Sequence, residues 1–436
     1  MGLLNTFINR YAARRRASST SQTTTHHVNG KQVFRNIPEA CLPVFPVISF
    51  KSLFGIFSKK PATVLDHGYP DIPVTAARYA ITHALRLLDI KPGDEILLPA
   101  YHCTVMVAPI VKMGATPVFF KIAKNLDSDI NDIAQKITPQ TKAIIAVNYC
   151  GFVQNIADVR ALCDMHNVAL IEDCAHSFFG QKDGVTVGGY GDYVLVSTRK
   201  FFPVPEGGSL MIRPPFTHTT RQKKRTLTAS LRANLSLIEK SLKHGRLWLL
   251  APLIELVNFL IQGTKRLLGK VPSPVENTSV PSSLVPDMKN IQEGENAYIH
   301  EIADKQAVYI HQLIPKLLNS VQVTKRRRQN FLWLYNNFQE IKGCRVLVYE
   351  LPDGIVPFMF PVYIENLQKY FPAFEDAALP LQRFAQFLWD DTAEEACPVT
   401  ADYSKNVILF PCHQELSQAD LEWLAQTVRT ILERAE

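Results

Sequence analysis

With 436 residues, 47% of them hydrophobic and 20% charged, the chain is globular material long enough for one large domain and a smaller one. A formal charge of +7 argues for nucleic acid or an anionic surface only through clustering. The clusters here, Arg14-Arg15-Arg16 and Arg221 with Lys223, Lys224 and Arg225, are short, and no nucleic-acid partner is expected. The eight cysteines form no Cys-x-x-Cys pair, which argues against a zinc site and a disulfide framework and suits a reducing cytoplasm.

Residues 1–35 are rich in Ser, Thr, Arg and His without apolar periodicity and are expected to be a disordered N-terminal segment. They show no secretory signal pattern. Residues 36–215 then read as the large domain. Ala76 to Leu88 is a predicted helix, Lys91-Pro-Gly-Asp a turn, and Glu95–Pro99, Thr116–Phe120, Lys142–Val147 and Val168–Asp173 are short buried strands. This alternation predicts an α/β domain with a mostly parallel sheet, whose ligands gather at the carboxyl ends of strands. Tyr101, His102, Asn148, Asp173 and His176 fall at those ends.

Residues 216–290 interrupt the alternation as a basic and apolar helical insertion. Its apolar run, Leu247 to Ile261, contains Pro252 and Glu255 and is too short to span a bilayer. Flanked by basic residues, it has the composition of an interfacial segment, and an apolar helix packed on protein fits equally well. Residues 291–342 form a helical connection, with Ile302 to Phe338 a long helix or helix pair. Residues 343–436 are a smaller α+β C-terminal domain. Arg326, Arg327 and Arg328 read as a solvated helix face, and His413 as a cap of the last helix or a residue of no assigned role.

Three local features carry chemistry. Asp173 ends an apolar strand, where a carboxylate needs a cationic partner or else caps the next helix. Lys200 follows Ser197 at the spacing Ser-x-x-Lys and precedes Pro203-Val-Pro-Glu-Gly-Gly; alone, such a lysine is usually solvated. Arg78 and Tyr79 lie near a helix start, where free N–H groups favour an anion, although an arginine there also reads as an exposed charge. Together they supply what pyridoxal phosphate requires: a lysine for the Schiff base, a carboxylate for the pyridine nitrogen and a phosphate cup. His102 and His176 remain readable as core histidines.

The order of these pieces resembles the DegT/StrS-type sugar aminotransferases of the fold type I pyridoxal phosphate superfamily. The likeness rests on Ala77-Arg-Tyr-Ala-Ile, Lys91-Pro-Gly-Asp-Glu-Ile-Leu-Leu-Pro-Ala-Tyr, Ile171-Glu-Asp-Cys-Ala-His, Ser197-Thr-Arg-Lys with Glu206-Gly-Gly, and Phe410-Pro-Cys-His. The resemblance implies a fold type I aminotransferase-like three-layer domain. It implies pyridoxal 5'-phosphate as cofactor, with Lys200 forming the Schiff base, Asp173 on the pyridine nitrogen, His176 at the phenolate oxygen and Ser197, Arg78 and Tyr79 on the phosphate. Tyr101 or His102 takes the place of the aromatic that stacks on the cofactor ring. The implied reaction moves an amino group from an amino acid such as glutamate to a keto sugar, nucleotide-linked, for an amino sugar of a surface glycan or secondary metabolite. A homodimer in the cytoplasm, with peripheral membrane contact through 221–270, completes the expectation, and no metal is involved. The segment Gly-Tyr-Asn-Tyr-Arg common in the family is absent after the lysine. A lyase or dehydratase on the same fold, or a non-catalytic membrane-associated relative, is the alternative.

Overall fold

The computed structural model describes residues 22–28, 31–37, 40–49, 61–216, 222–247, 300–348, 350–389 and 391–433. Within the stretch expected to carry no structure, Gln22–Val28 (β1) pairs antiparallel with Lys31–Ile37 (β2). Threonines favour extended backbone.

Strand and helix then alternate: Asp71–Val74 (β3), Ala77–Leu87 (α1), Glu95–Pro99 (β4), Thr104–Lys112 (α2), Thr116–Phe120 (β5), Ile130–Lys136 (α3), Thr141–Val147 (β6), Ile156–His166 (α4) and Ala169–Cys174 (β7). A small hairpin, Gln181–Lys182 (β8) with Val185–Thr186 (β9), precedes Tyr193–Val196 (β10) and Gly208–Ile212 (β11). The sheet order is β3-β11-β10-β7-β6-β4-β5. From β10 to β5 every neighbour is parallel, and β11 runs antiparallel to both β10 and β3.

The strands read as continuous apolar runs because both faces are covered. Ile96, Leu98, Ala143, Ile145, Val147 and Ile171 enter one core with α1 and α2. Leu97, Ile144, Ala146 and Leu170 point the other way, onto Ile133 of α3 and Ile156, Val159 and Leu162 of α4. Each of these Val, Leu and Ile side chains contributes about 1.5–3 kcal/mol on burial.

Beyond the sheet come Leu227–Lys243 (α5), His300–Ala303 (α6), Ile310–Leu317 (α7) and Ser320–Phe338 (α8). Of the two forms expected over 302–338, a long helix or a helix pair, the structure has the pair. Leu318 is extended, and the Asn319 side chain accepts from Gln322 N at 3.2 Å, starting α8 afresh. Cys344–Val346 (β12), Met359–Ile364 (β13) and Val407–Pro411 (β14) make an antiparallel sheet in the order β12-β13-β14. Leu367–Asp376 (α9), Asp391–Ala396 (α10), Pro398–Asn406 (α11) and Gln418–Glu433 (α12) accompany that sheet. Residues 248–299, with nearly all of the apolar run from Leu247, lie outside the described residues. Among the described residues no helix is long and apolar enough to cross a membrane.

Two expectations about single residues change. The arginine run of α8 is not a solvated face: Arg327 is fully buried, Arg326 donates to the Leu416 carbonyl at 3.0 Å, and Arg328 to those of Pro352 and Ile355 at 2.7 and 2.6 Å. The buried stripe of α8 runs through Val323, Arg327, Phe331, Leu334 and Phe338, so helical geometry drives Arg327 inward. His413 does not cap α12, whose start is closed by Ser417 and Asp420 bonding each other's backbone N–H. It is buried, with Nε2 on the Pro43 carbonyl at 2.8 Å and Nδ1 accepting the Glu415 N–H at 3.3 Å. The eight cysteines are free thiols.

Candidate active site

The carboxyl ends of β3, β4, β6, β7 and β10 face one edge of the sheet, so the loops leaving them converge. The register Val147↔Asp173↔Leu195 sets β6, β7 and β10 side by side. After β10 the chain makes a 3-10 turn over Thr198–Lys200, closed by the Phe201 and Phe202 N–H groups on the Thr198 carbonyl at 3.1 and 3.0 Å. Pro203 and Pro205 stop the turn from growing into a helix.

Asp173 and Lys200 meet at this edge. Burial pushes the Asp173 carboxyl above its ordinary range, while the Lys200 ammonium and the Ala175 N–H, donating at 2.8 Å, favour its charge. Burial likewise lowers the Lys200 ammonium to about 8, against the pull of Asp173 and Cys103. Its Nζ stands 5.4 Å from the centre of the Phe358 ring. A lysine at about 8 keeps a substantial neutral, nucleophilic fraction near neutral pH.

His176 is buried and held well below its usual pKa, first by desolvation and then by Lys200. Its Nδ1 accepts the Cys150 N–H at 3.4 Å, which assigns the neutral ring's proton to Nε2. The ring packs on Phe358 at 4.7 Å and on Phe384 at 5.2 Å. Cys103, at the start of α2, feels Lys200, Asp173 and Arg78, and burial raises its thiol.

A helix start and two arginines lie beside this pair. Helix α1 starts at Ala77 behind Ala76, which has no side chain to cap the first N–H groups. Burial lowers the Arg78 guanidinium, and Arg199 is brought to about 10 by burial and then by Arg78. Thr75 Oγ1 is buried without a hydrogen-bond partner, and Ser197 is buried with no side-chain bond to its own turn. Tyr79 is buried in the first turn of α1.

Tyr101 and His102 pack into aromatic surroundings at these strand ends. Tyr101 packs among Tyr149, Phe384 and Tyr403 at 5.2–6.1 Å. The His102 ring lies parallel to Phe119 at 4.7 Å, with Nδ1 on the Ala100 carbonyl at 2.8 Å and Nε2 accepting the Trp389 N–H at 3.1 Å. The structure thus gathers Arg78, Asp173, His176, Ser197 and Lys200, and sets His102 into the core.

Sequence reading missed the residues that hold this edge together. Glu206 accepts from Arg225 at 2.6 Å and from Val308 N at 3.0 Å, tying the loop after Lys200 to the approach of α5. At Gly207, with φ +138°, a Cβ would stand 2.4 Å from the His311 Cβ, so α7 requires glycine there. Phe358 and Phe384 arrive from the C-terminal third, far from any motif, and only Glu206-Gly-Gly offered a local signal.

This architecture is that of the fold type I aminotransferases: a mostly parallel seven-stranded sheet between helices, followed by a small antiparallel sheet. A Streptococcus pneumoniae protein assigned as a sugar aminotransferase, solved in its PMP form, superposes with TM-score 0.59 at 16% identity, over 90% of this chain and 98% of its own. An aminotransferase from Streptoalloteichus hindustanus gives 0.57 at 19% identity, covering 85% and 89%. Residues 59–227 match the model of the DegT/DnrJ/EryC1/StrS aminotransferase family. GDP-perosamine synthase of Vibrio cholerae is 37% identical over 155 residues, 35% of this chain and 39% of that one. A UDP-N-acetyl-3-dehydro-alpha-D-glucosamine 3-aminotransferase of Acidithiobacillus ferrooxidans is 38% identical over 125 residues, 28% and 33%. The chain spans 39% and 33% of the lengths of these two curated relatives.

Proposed function

We propose that the chain is a pyridoxal phosphate-dependent aminotransferase, moving an amino group from an amino acid, glutamate by the family's habit, to the keto group of a nucleotide-linked sugar. The observation that carries this reading is the pairing of half-buried Lys200 with buried Asp173 at adjoining strand ends, where desolvation brings the lysine down to about 8. Relatives named for sugar-nucleotide and inosose amination support the acceptor class.

The residues fit the cofactor. The uncapped start of α1, the unpartnered Thr75 Oγ1, Ser197 and the Arg78 guanidinium make a cup for a phosphate. Asp173, anchored through Ala175 N, would hold a proton on the pyridine nitrogen, and His176 Nε2–H would donate to the ring hydroxyl oxygen. When bound, pyridoxal phosphate supplies an electron sink for the carbon that bears the amine. Lys200 Nζ would hold the cofactor and would serve as the base that moves a proton during the transfer.

Borohydride reduction of the pyridoxal phosphate-loaded protein, read by peptide mass, is expected to fix the cofactor on Lys200. Lys200→Ala is expected to abolish amination across a panel of amino donors and keto-sugar acceptors while the protein stays folded. Turnover surviving in that variant, or label on another lysine, would reject the assignment. The reading includes peripheral membrane contact through 221–270, which the exposed Leu227 and Leu231 beside Lys223, Lys224 and Arg232 favour.

A further inference from the structure

We infer that Arg327 is the positioning residue of this site, joining the backbone of Lys200 to the Pro357–Phe358 segment and so setting where the reactive amine stands. The inference rests on the reading of Lys200 as the reacting lysine. Arg327 has 0% exposure, in the middle of α8. Its Nη2 donates to the carbonyls of Lys200 and Phe201 at 3.1 and 3.4 Å. Its Nη1 donates to those of Pro357 and Phe358, both at 3.1 Å. Nε donates to Gln414 Oε1 at 2.9 Å, while Gln414 Nε2 donates to the Phe201 carbonyl at 3.0 Å. The guanidinium lies 4.6 Å from the centre of the Phe201 ring.

These acceptors are uncharged, and burying a cation among carbonyl oxygens is costly. A position needed only for packing would carry an apolar residue, as the same stripe does at Val323, Phe331 and Leu334. What an arginine adds is a rigid planar fork that spans two chain segments at once. Both segments bear on the amine. One carries Lys200 itself; the other carries Phe358, whose ring faces Lys200 Nζ at 5.4 Å and the His176 ring at 4.7 Å, and whose N–H bonds the Cys150 carbonyl at 2.8 Å. Without the fork the two segments part and water reaches the ammonium. Lys200 also faces Asp173, Cys103, Cys150 and Arg199, which no change at 327 removes. A rise in its proton affinity therefore reports the opening.

The test is competitive acetylation of the full-length chain across pH, with the Lys200 peptide followed by mass spectrometry; it needs no cofactor. The parent midpoint is expected near 8. Arg327→Met and Arg327→Lys are both expected to move it upward by about one unit, because a lysine keeps the charge but cannot span four carbonyls. A lowered melting temperature with an unmoved Lys200 midpoint would make Arg327 merely structural, and a parental midpoint in Arg327→Lys would show that charge acts rather than the bridge. Either result overturns the inference. Should Arg327→Met fail to fold, Gln414→Leu, which removes one arm of the network, is expected to shift the midpoint the same way by less, and no shift there rejects the bridge. A parent that labels as expected but binds no pyridoxal phosphate would defeat the proposed function and leave this bridge standing.

Discussion

Asp173 and Lys200 hold opposite charges in a largely desolvated setting, and each alters what the other can do. Asp173 pulls the Lys200 proton affinity up while burial drives it down, and the balance lies at about 8. Asp173→Asn keeps an oxygen for the Ala175 N–H, so the fold is expected to persist. With the charge gone, the Lys200 midpoint is expected to fall below that of the parent, the opposite sign to Arg327→Met. Amination is expected to drop by about 10²-fold or more, as when a preorganised electrostatic partner is lost. Steady-state kinetics beside the labelling curve decides it, and near-parental turnover would mean that Asp173 is not the pyridine nitrogen's partner. At this scale Asp173 and Lys200 stood out only through the order of several motifs, since the local spacing alone leaves Lys200 a solvated lysine and Asp173 a helix cap. The placing of Tyr101 and His102 was not legible: which way a loop aromatic turns depends on Phe119 of the next strand and on Phe384 and Trp389, 283 and 287 positions away. Arg327 was misread with its neighbours as a solvated face, although it stands four residues after Val323 and four before Phe331, on the stripe that faces the core.

Among the elements, the parallel strands announced themselves, because a strand covered on both faces leaves an unbroken apolar run. The turn between α7 and α8 did not, because Asn319 is an ordinary polar residue until its side chain caps the new helix. Helix α5 carries its own consequence. Thr226 caps it, Arg225 ties its approach to Glu206, and Leu227 and Leu231, 83% and 62% exposed, stand one turn apart. Exposed leucines beside exposed Lys223, Lys224 and Arg232 suit an anionic lipid surface. The protein is expected to float with phosphatidylserine-containing vesicles and not with phosphatidylcholine alone, and Leu227→Ser with Leu231→Ser to reduce the floated fraction several-fold. Equal flotation of parent and variant would exclude this helix as the contact.

Across the whole molecule, distant parts of the chain are closed on one another by buried polar groups that must stay in one protonation state. His413 is the clearest. It sits after β14, accepts the Glu415 N–H, and through Nε2–H reaches the Pro43 carbonyl, 370 positions away, while its own carbonyl accepts from Asn330 of α8 at 2.9 Å. No local pattern could reveal a bond across that separation, which is why the sequence left the residue without a role. Burial, more than the nearby Arg327 and Arg246, lowers the His413 ring to about 3, from an ordinary 6.5. The sign follows: above pH 6.5 both folded and unfolded chains hold it neutral and its contribution is intact. As pH falls from there toward 3, the unfolded chain takes up a proton that the folded chain refuses, and stability is lost. His176, depressed by the same cause, adds to the slope. The melting temperature of the cofactor-free protein is therefore expected to fall steadily between about pH 6.5 and 4.5. In His413→Gln, whose side-chain amide can still donate toward Pro43 but takes up no proton in this range, the fall is expected to be shallower, even if the variant is less stable at neutral pH. Parallel curves for parent and variant would show that His413 does not carry the acid sensitivity of the fold.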